Sequence, residues 1–312
     1  MTVKWVSRGN MGLKIRTIEC GKRSQESGYD SLFEARTSCS CRGRGRWVVV
    51  LDGQRIIAVK LKNRTILITG GSAGIGLAFA LKFLKLGNWV IVTGRRQAVL
   101  DEVRAKYPGL HTIRSDVSDP AQVGALAEIV RRDFPALDVL MNNAGISHYR
   151  NLSVPAADPD DLMTEVNVNL GGVIRTTSAL IDLLKANRGT IINVSSALAH
   201  VPLPCIPIYC ATKAAIHSYT QSLRFQLEDT GVEVIELMPP AVRTGMTAGL
   251  PEDGLPMIST EQLVALSMRG LKRGAPEVRP GQAAQLAMLR RVAPDFIGRQ
   301  LWKAAKPLVP AG

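Results

Sequence analysis

The sequence predicts an α/β domain built on a doubly wound parallel sheet, with helices on both faces. Two observations favour this class. From Thr65 onward, short apolar β-branched segments alternate with segments of helical period, and the first strand runs directly into a glycine-rich turn and a helix. Strands this apolar are typical of parallel sheets buried on both faces. We therefore expect a single domain over residues 59–312.

Residues 1–58 differ in composition from the rest, because Gly, Ser and Arg are mixed there without a period of two or 3.6. Only Trp47–Leu51 resembles a strand. Three interpretations stay open: a weakly ordered extension, a basic arm, or a segment that is not native because translation begins further on, for example at Val59. The intact mass of protein made from its own gene would test the third.

The net charge of +13 does not by itself indicate a nucleic-acid partner. Eleven Lys and Arg against five Asp and Glu lie in residues 1–58, so nearly half of the excess falls in that segment. No helix-turn-helix, zinc-finger or aromatic stacking pattern accompanies the charge. A small-molecule partner is therefore expected and nucleic-acid binding is not, although a basic arm leaves that alternative open to a gel-shift test.

Cysteine usage and hydropathy narrow the class further. The five cysteines are irregularly spaced, and Cys39-x-Cys41 lacks a second pair, so we expect free thiols and no metal site. No run approaches 18 apolar residues, and no secretory signal pattern opens the chain. We expect a cytoplasmic protein without a membrane span.

The first strand, Thr65–Ile68, leads into the sequence TGGSAGIG at residues 69–76. Glycines permit a tight turn and close backbone approach, and the free amides at the start of the following helix suit a pyrophosphate. The turn therefore predicts dinucleotide binding. The residues expected to contact the dinucleotide are Gly70, Ser72, Ala73, Gly74, Ile75 and Gly76.

The second strand, Trp89–Thr93, ends in Gly94, Arg95 and Arg96. An NAD site usually places an acidic side chain here for the ribose 2′-hydroxyl, whereas a 2′-phosphate favours arginine. We therefore predict NADP(H) over NAD(H), with Arg95 as the main contact and Arg96 more solvated. The alternative is that both arginines are ordinary surface charges.

Two further strands also end in residues that suit a ligand. Leu110–Arg114 is followed by Asp116 and Val117, and Asp138–Met141 runs into the sequence NNAG at residues 142–145. Small and amide residues suit a backbone that passes close to a cofactor. We predict cofactor contacts from Asp116, Val117, Asn143, Ala144 and Gly145, with an Asn-rich turn of no ligand role as the alternative.

The predicted catalytic residues lie in and after the strand Thr190–Val194. Ser195 and Ser196 follow its carboxyl end, and Tyr209 and Lys213 stand four residues apart in a helical segment, so they share one helix face. A free phenol is a weak acid at neutral pH, and a nearby cation lowers its pKa. Such a tyrosine can give a proton to a carbonyl oxygen that Ser196 holds. The alternative is an ordinary helix pair.

Three other segments complete the prediction. A long helix over Asp158–Ala186 contains Asn169, a residue that in mid-helix is more often a packing compromise than a catalyst. The strand Val232–Leu237 ends before Pro239 and Pro240. The Gly- and Pro-rich residues 241–260 are either a substrate lid or a loop that covers the core, and we predict a lid that extends over the following helix, at about residues 241–272.

Residues 60 to about 245 closely resemble the short-chain dehydrogenase/reductase family, and most of all its DltE-like branch. The resemblance is carried by motifs that occur together in the family's order and spacing. They are TGGSAGIG at 69–76, Asp116, NNAG at 142–145, Asn169, Ser196 and YCATK at 209–213. One departure is Pro240, where many relatives have glycine.

The resemblance implies a Rossmann fold, NAD(P)(H)-dependent interconversion of a carbonyl and an alcohol, and a homodimer or homotetramer. It implies that Tyr209 is the acid-base group, that Ser196 orients the carbonyl and that Lys213 binds the nicotinamide ribose. By the same resemblance Asn169 holds a relay water. Contacts to the carboxamide are implied for Pro239, Val242 and Thr244. A nucleotide-binding sensor or scaffold with little turnover is the alternative.

Overall fold

The computed structural model describes residues 49–51, 54–56, 61–155, 158–248 and 256–310. The first two strands, β1 (Val49–Leu51) and β2 (Gln54–Ile56), pair antiparallel in a small ladder of their own. The predicted strand Trp47–Leu51 overlaps β1. The rest of the predicted extension, residues 1–48, 52–53 and 57–58, lies outside the described residues.

The domain is built on a seven-stranded parallel sheet among the described residues. Its strands are β3 (Thr65–Ile68), β4 (Trp89–Gly94), β5 (Leu110–Arg114), β6 (Leu137–Asn142), β7 (Thr190–Val194), β8 (Glu233–Leu237) and β9 (Glu277–Val278). The order across the sheet is β5-β4-β3-β6-β7-β8-β9. The six strands that the sequence predicts are confirmed. β9 was not predicted, because two residues near Pro276 and Pro280 give no strand pattern.

The strand order creates a crevice at one position. The chain moves outward from β3 through β4 to β5, then returns to the other side of β3 and continues outward from β6 to β9. The loops that follow β3 and β6 therefore diverge to opposite faces. Ligands of open α/β sheets bind at this reversal, beyond the carboxyl ends of the strands.

Nine helices accompany the sheet in the described part of the chain. They are α1 (Gly74–Leu84), α2 (Gln97–Lys106), α3 (Pro120–Asp133), α4 (Pro159–Glu165), α5 (Gly172–Ala186), α6 (Pro207–Gln226), α7 (Thr260–Lys272), α8 (Gln282–Val292) and α9 (Pro294–Ala305). None of these described helices combines the length and apolar character needed to cross a bilayer.

Helices cover both faces of the sheet because successive strand residues point to opposite sides. Ile66 and Ile68 pack in a core cluster with α1, α2 and α7, whereas Leu67 packs in a second cluster with α3, α5 and α6. The predicted doubly wound architecture is confirmed.

Local sequence explains how two of the helices begin. The Asp119 side chain accepts hydrogen bonds from the amides of Ala121 and Gln122, and Asp158 accepts from Asp160, which satisfies amides that a helix start leaves unpaired. The predicted long helix after Asp158 comprises α4, a π-helical turn at Val166–Gly171, and α5. A π-turn places an extra residue in the helix and often marks a functional position.

Candidate active site

The turn between β3 and α1 requires its glycines. Gly70 and Gly74 have φ angles of +63° and +52°, in the left-handed region that favours glycine. A Cβ on Gly70 would lie 2.8 Å from the Cα of Ala144, and one on Gly76 would lie 2.5 Å from the Asn143 Nδ2 atom. The turn is therefore packed directly against the loop that follows β6.

The remaining predicted turn residues have different environments. Ser72 is half-buried, Ala73 is exposed and precedes α1 with extended backbone, and the Ile75 side chain packs against the core. The unpaired amides at the start of α1 are what the turn offers a ligand.

Thr69 joins this turn to the loop after β6 and was not among the predicted site residues. Its Oγ1 accepts hydrogen bonds from the amides of Asn143 and Ala144 at 3.0 and 3.1 Å. Asn143 Nδ2 donates in return to the carbonyls of Thr69 and Gly70 at 3.0 and 3.1 Å. Asn143 therefore contributes by holding the two loops together. A threonine at the end of a strand, directly before two glycines, is the signal that could have identified Thr69.

A cleft of about 300 Å³ opens above these loops. Eight predicted cofactor residues line it, namely Gly70, Ser72, Arg95, Arg96, Asp116, Val117, Ala144 and Gly145. Five others line it that were not predicted, namely Thr93, Gly94, Ser115, Ile146 and Val168. The first four come from the same strand ends as predicted residues, and Val168 directly precedes Asn169 in the π-helical turn. Their neighbours in sequence are the signal for them.

Arg95 lies at the edge of this cleft. Its guanidinium is 3.9 Å from the Asp116 carboxylate, and the Arg95 side chain is 54% exposed. Such an exposed pair holds the arginine only weakly, so its donors stay accessible to an anion. Arg96 is also exposed and directly precedes α2.

Three predicted catalytic residues meet between β7 and α6. The Tyr209 phenol hydrogen-bonds the Ser196 side chain, whose Oγ also accepts from the Leu198 amide at 3.1 Å. Lys213 is buried, and its Nζ donates to the carbonyl of Val194 at 2.9 Å while lying 5.5 Å from the centre of the Tyr209 ring.

The pKa of Tyr209 differs from the sequence expectation. Burial raises the pKa of the Tyr209 phenol to about 12, and the hydrogen bond with Ser196 opposes that rise. Burial also lowers the pKa of the Lys213 ammonium to about 8. The expected lowering of the tyrosine pKa by Lys213 is therefore wrong for the protein alone, because desolvation outweighs the other effects.

Asn169 lies in the π-helical turn and is fully buried. Its Oδ1 accepts from the Ile146 amide at 2.8 Å, and its Nδ2 donates to the Ile146 carbonyl and to Thr212 Oγ1 at 2.9 and 3.1 Å. Both amide hydrogens are thus used to hold the loop after β6 against α6. Holding a relay water stays a prediction for Asn169, whose side chain retains only acceptor capacity.

Gly145 connects the cleft with the catalytic group. A Cβ on Gly145 would lie 3.3 Å from Asn169 Oδ1 and 3.7 Å from Lys213 Nζ. Gly145 also lines the cleft, so the cleft extends to the vicinity of Lys213.

The three residues predicted after β8 have different surroundings. The Pro239 carbonyl accepts from the Ala197 amide at 2.9 Å, directly beside Ser196. Thr244 reaches the glycine turn, since its Cγ2 would lie 3.4 Å from a Cβ on Gly74. The Val242 side chain is buried in the core, so only its main chain can face a ligand.

Only part of the predicted lid, residues 241–272, can lie over a site. Residues 249–255 are outside the described residues. α7 buries Leu263, Val264, Met268 and Leu271 in the core cluster that contains α1. α7 therefore covers the core because its apolar face needs burial, and a lid role for the residues before it stays a prediction.

An apolar wall stands beside Tyr209. It combines residues of the loop before α6 and of the first turn of α6 with the C-terminal segment. Its members are Leu198, Leu203, Cys205, Ile206, Tyr209, Cys210, Leu301, Ala305, Leu308 and Val309. Cys205 and Cys210 are free thiols, and the other three cysteines lie outside the described residues.

Two buried acids near this site were not predicted. Glu165 accepts from the His148 amide at 3.2 Å, and its Oε2 is buried without a hydrogen-bond partner in the described part of the chain. Burial raises the pKa of Glu165, and its charge contributes to the raised pKa of Tyr209. Glu236 lies within β8 and is fully buried. A glutamate between the apolar residues Ile235 and Leu237 of a buried strand is the signal that could have found it.

Comparison with known proteins agrees with this geometry. The family model described as short chain dehydrogenase matches residues 64–254. The chain belongs to this family. "Uncharacterized oxidoreductase DltE" of Bacillus subtilis (strain 168) is 42% identical to this short-chain dehydrogenase over 227 residues, covering 70% of this chain and 89% of that protein. The predicted resemblance and enzyme class, an NAD(P)-dependent short-chain dehydrogenase/reductase, are confirmed.

Solved structures of other short-chain dehydrogenases share the fold. A short chain dehydrogenase from Burkholderia cenocepacia J2315, in complex with NADP, superposes with a TM-score of 0.69 at 28% identity, covering 78% of this chain and 99% of that one. The 3-ketoacyl-(acyl-carrier-protein) reductase of Brucella melitensis, complexed with NADH, superposes with a TM-score of 0.63 at 29% identity. The match covers 68% of this chain and 92% of that one.

Proposed function

We propose that this short-chain dehydrogenase uses NADP(H) in preference to NAD(H) and interconverts a carbonyl and a secondary alcohol, with Tyr209 as general acid and base. The observation that carries this proposal is the hydrogen bond between Tyr209 and Ser196, next to the buried Lys213. Lys213 connects this group to the cleft that the glycine turn borders, because its Nζ would lie 3.7 Å from a Cβ on Gly145, which lines the cleft.

The cleft fits a nicotinamide dinucleotide because the glycine turn lines it and leads into α1, whose first amides have no side-chain cap and can bind a pyrophosphate. Structural neighbours bound to NADP and NADH support the same cofactor class. Arg95 and Arg96 at the end of β4 support NADP(H), since each can donate to a 2′-phosphate. When bound, the nicotinamide supplies or accepts the hydride.

The side chains would handle the proton and the oxygen of the substrate. Ser196 holds the carbonyl oxygen, and Tyr209 donates its proton to that oxygen in reduction. A phenol with a pKa raised to about 12 is fully protonated at neutral pH, which suits this direction. Lys213 binds the ribose through the hydrogens that Val194 does not use, and Asn169 keeps the loop after β6 in place.

The apolar wall beside Tyr209 supports a partly apolar substrate of small to medium size. Leu203 and Cys205 are buried in it, and Leu301 and Val309 of the C-terminal segment pack against them. Burial of an alkyl or ring group against such a wall would contribute about 0.8 kcal/mol per methylene.

Tyr209→Phe tests the proposed chemistry. We expect it to abolish turnover of a carbonyl panel with NADPH while the dissociation constant for NADPH, measured by nucleotide fluorescence, stays within about twofold, because the ring remains and only the proton donor is lost.

Tyr219→Phe is the matched control, because Tyr219 lies on the same helix and hydrogen-bonds Thr177 away from the cleft. It should retain activity. Full activity of Tyr209→Phe would contradict the assignment. Wild-type protein that binds NADPH but reduces nothing would instead favour a sensor or scaffold.

A further inference from the structure

Glu236 is a buried carboxylate in the strand next to β7. In the β7–β8 register, Glu236 lies opposite Asn193, and Leu237 lies opposite Val194. Both carboxylate oxygens are used: Oε1 accepts from Ser195 Oγ at 2.5 Å, and Oε2 is 2.7 Å from His217 Nδ1. Because a carboxylate only accepts, Nδ1 carries the hydrogen.

These two partners belong to the elements that carry the proposed catalytic groups. Ser195 directly precedes Ser196 at the end of β7. His217 follows Lys213 by one helical turn on α6, and four-residue spacing puts both on the same face. Glu236 therefore ties the end of β7 to the catalytic face of α6 through two charge-assisted hydrogen bonds.

Several charged groups face this carboxylate. Lys213 and Arg224 on α6 both interact with its charge. Glu277 on β9 is its neighbour across the sheet, and the His200 ring packs on His217 at 4.7 Å.

The cluster resembles a metal site but is already satisfied. His217, Glu236 and Glu277 each present a ligand atom within 4.8 Å of the others. Arg279 donates to Glu277, however, and Ser195 and His217 occupy Glu236. The observations thus favour an internal hydrogen-bond network over a bound cation.

Lys213 and Glu236 lie near each other at the end of β7, because Lys213 Nζ donates to the carbonyl of Val194, whose partner in β8 is the residue after Glu236. The Glu236 carboxylate therefore acts on Lys213 through its charge. Burial lowers the pKa of the Lys213 ammonium to about 8, and the Glu236 carboxylate opposes that shift. A buried cation is stabilised by a nearby anion, since charges interact more strongly away from water.

We propose that Glu236 is a positioning residue for the reaction: through Ser195 it fixes the strand end that presents Ser196, and through its charge it keeps Lys213 protonated. This role rests on the proposed function of the same site. It explains why a glutamate lies between the apolar residues Ile235 and Leu237 of β8.

The pH dependence of NADPH binding tests the charge effect without requiring turnover. A protonated Lys213 attracts the anionic cofactor, so affinity should fall as pH rises through the pKa of Lys213. Glu236→Gln removes the opposing carboxylate, so this fall should move to lower pH by about one unit in a fluorescence titration. Glu277→Gln, which removes the neighbouring acid, should leave the midpoint unchanged.

Ser195→Ala tests the positioning effect separately. It removes one contact and keeps the charge, so kcat for NADPH-dependent reduction of 9,10-phenanthrenequinone should fall about tenfold while the binding midpoint stays in place. If thermal melting shows that Glu236→Gln is not folded, Ser195→Ala still tests the role of Glu236.

The outcomes distinguish a failure of the proposed function from a failure of the proposed role of Glu236. Wild-type protein that binds no NADPH contradicts the proposed function. Wild-type binding with a pH midpoint that Glu236→Gln leaves unchanged, or an unchanged kcat in Ser195→Ala, overturns the role of Glu236.

Discussion

At the residue scale, two adjacent serines have separate tasks. Ser196 hydrogen-bonds Tyr209, whereas Ser195 donates to Glu236. Both partners connect to α6, since Tyr209 lies on that helix and Glu236 reaches it through His217. Sequence spacing selects Ser196 for the substrate side. It cannot reveal the partner of Ser195, which lies 41 residues away on another strand.

Arg95 gives the residue-scale prediction about cofactor choice. Arg95→Glu should raise the dissociation constant for NADPH at least about tenfold and that for NADH less than about twofold, because it replaces a donor to the 2′-phosphate with a repelling charge. Fluorescence titration with both nucleotides measures this difference.

Arg96→Glu is the matched control, since Arg96 is equally exposed but less central to the prediction. Its effect on NADPH should be smaller. Equal losses for NADPH and NADH in Arg95→Glu would show that this guanidinium does not contact the 2′-phosphate.

At the element scale, the turn between β3 and α1 works only together with the loop after β6. Four hydrogen bonds join Thr69 and Gly70 to Asn143 and Ala144 across these loops, and Gly70 and Gly76 let the backbones approach closely. The glycine pattern was predictable because its constraints are local. The clamp was not, because Thr69 and Asn143 are 74 residues apart.

Gly76→Ala tests this turn. The added Cβ would lie 2.5 Å from the Gly70 carbonyl oxygen, a backbone atom that cannot move away without opening the turn. We expect loss of measurable NADPH binding and a free energy of unfolding lower by about 1–3 kcal/mol, measured by urea titration.

Gly124→Ala provides the matched control for that substitution. Gly124 lies on the exposed side of α3, where a Cβ would meet nothing within 4 Å. Alanine there should raise stability by up to about 1 kcal/mol and leave NADPH affinity unchanged. Normal binding by Gly76→Ala would refute the packing requirement.

In helix α6 as well, the spacing of residues could be predicted from the sequence but their burial could not. Its spacing places Tyr209, Lys213 and His217 on one face, as helical geometry requires. The sequence does not show how strongly that face is buried. Burial raises the pKa of Tyr209, contrary to the expectation from its spacing to Lys213, and burial also lowers the pKa of Lys213.

At the scale of the whole molecule, the C-terminal segment helps to form the proposed substrate region. Leu301 of α9 packs against the cluster that contains Tyr209, together with Leu308 and Val309. The carbonyl of Pro310 also accepts from Asn151 Nδ2 at 3.1 Å, which fastens the segment to the loop after β6. The C-terminal segment thereby contacts a loop that lies about 160 residues earlier in the sequence.

Leu301→Ala tests this long-range contact. We expect the KM for apolar carbonyl substrates to rise while NADPH affinity stays constant, and the free energy of unfolding to fall by about 1–2 kcal/mol, because a partly buried side chain is lost. Steady-state kinetics and urea titration measure both effects.

Trp302→Ala is the control on the same helix, where the ring is 43% exposed and the apolar wall does not include it. Its KM should match the wild type. If Leu301→Ala also left every KM unchanged, the wall would have no part in substrate binding.

The sequence by itself determined the doubly wound class, the six longer strands, the glycine turn and the candidate catalytic residues, because each depends on a local period, a turn requirement or a motif spacing. Only the tertiary structure decided the strand β9, the burial of α7, the apolar wall and the pairing of Ser195, Glu236 and His217. Those features depend on which surfaces meet after the chain has crossed the sheet, and nothing in a local pattern records that.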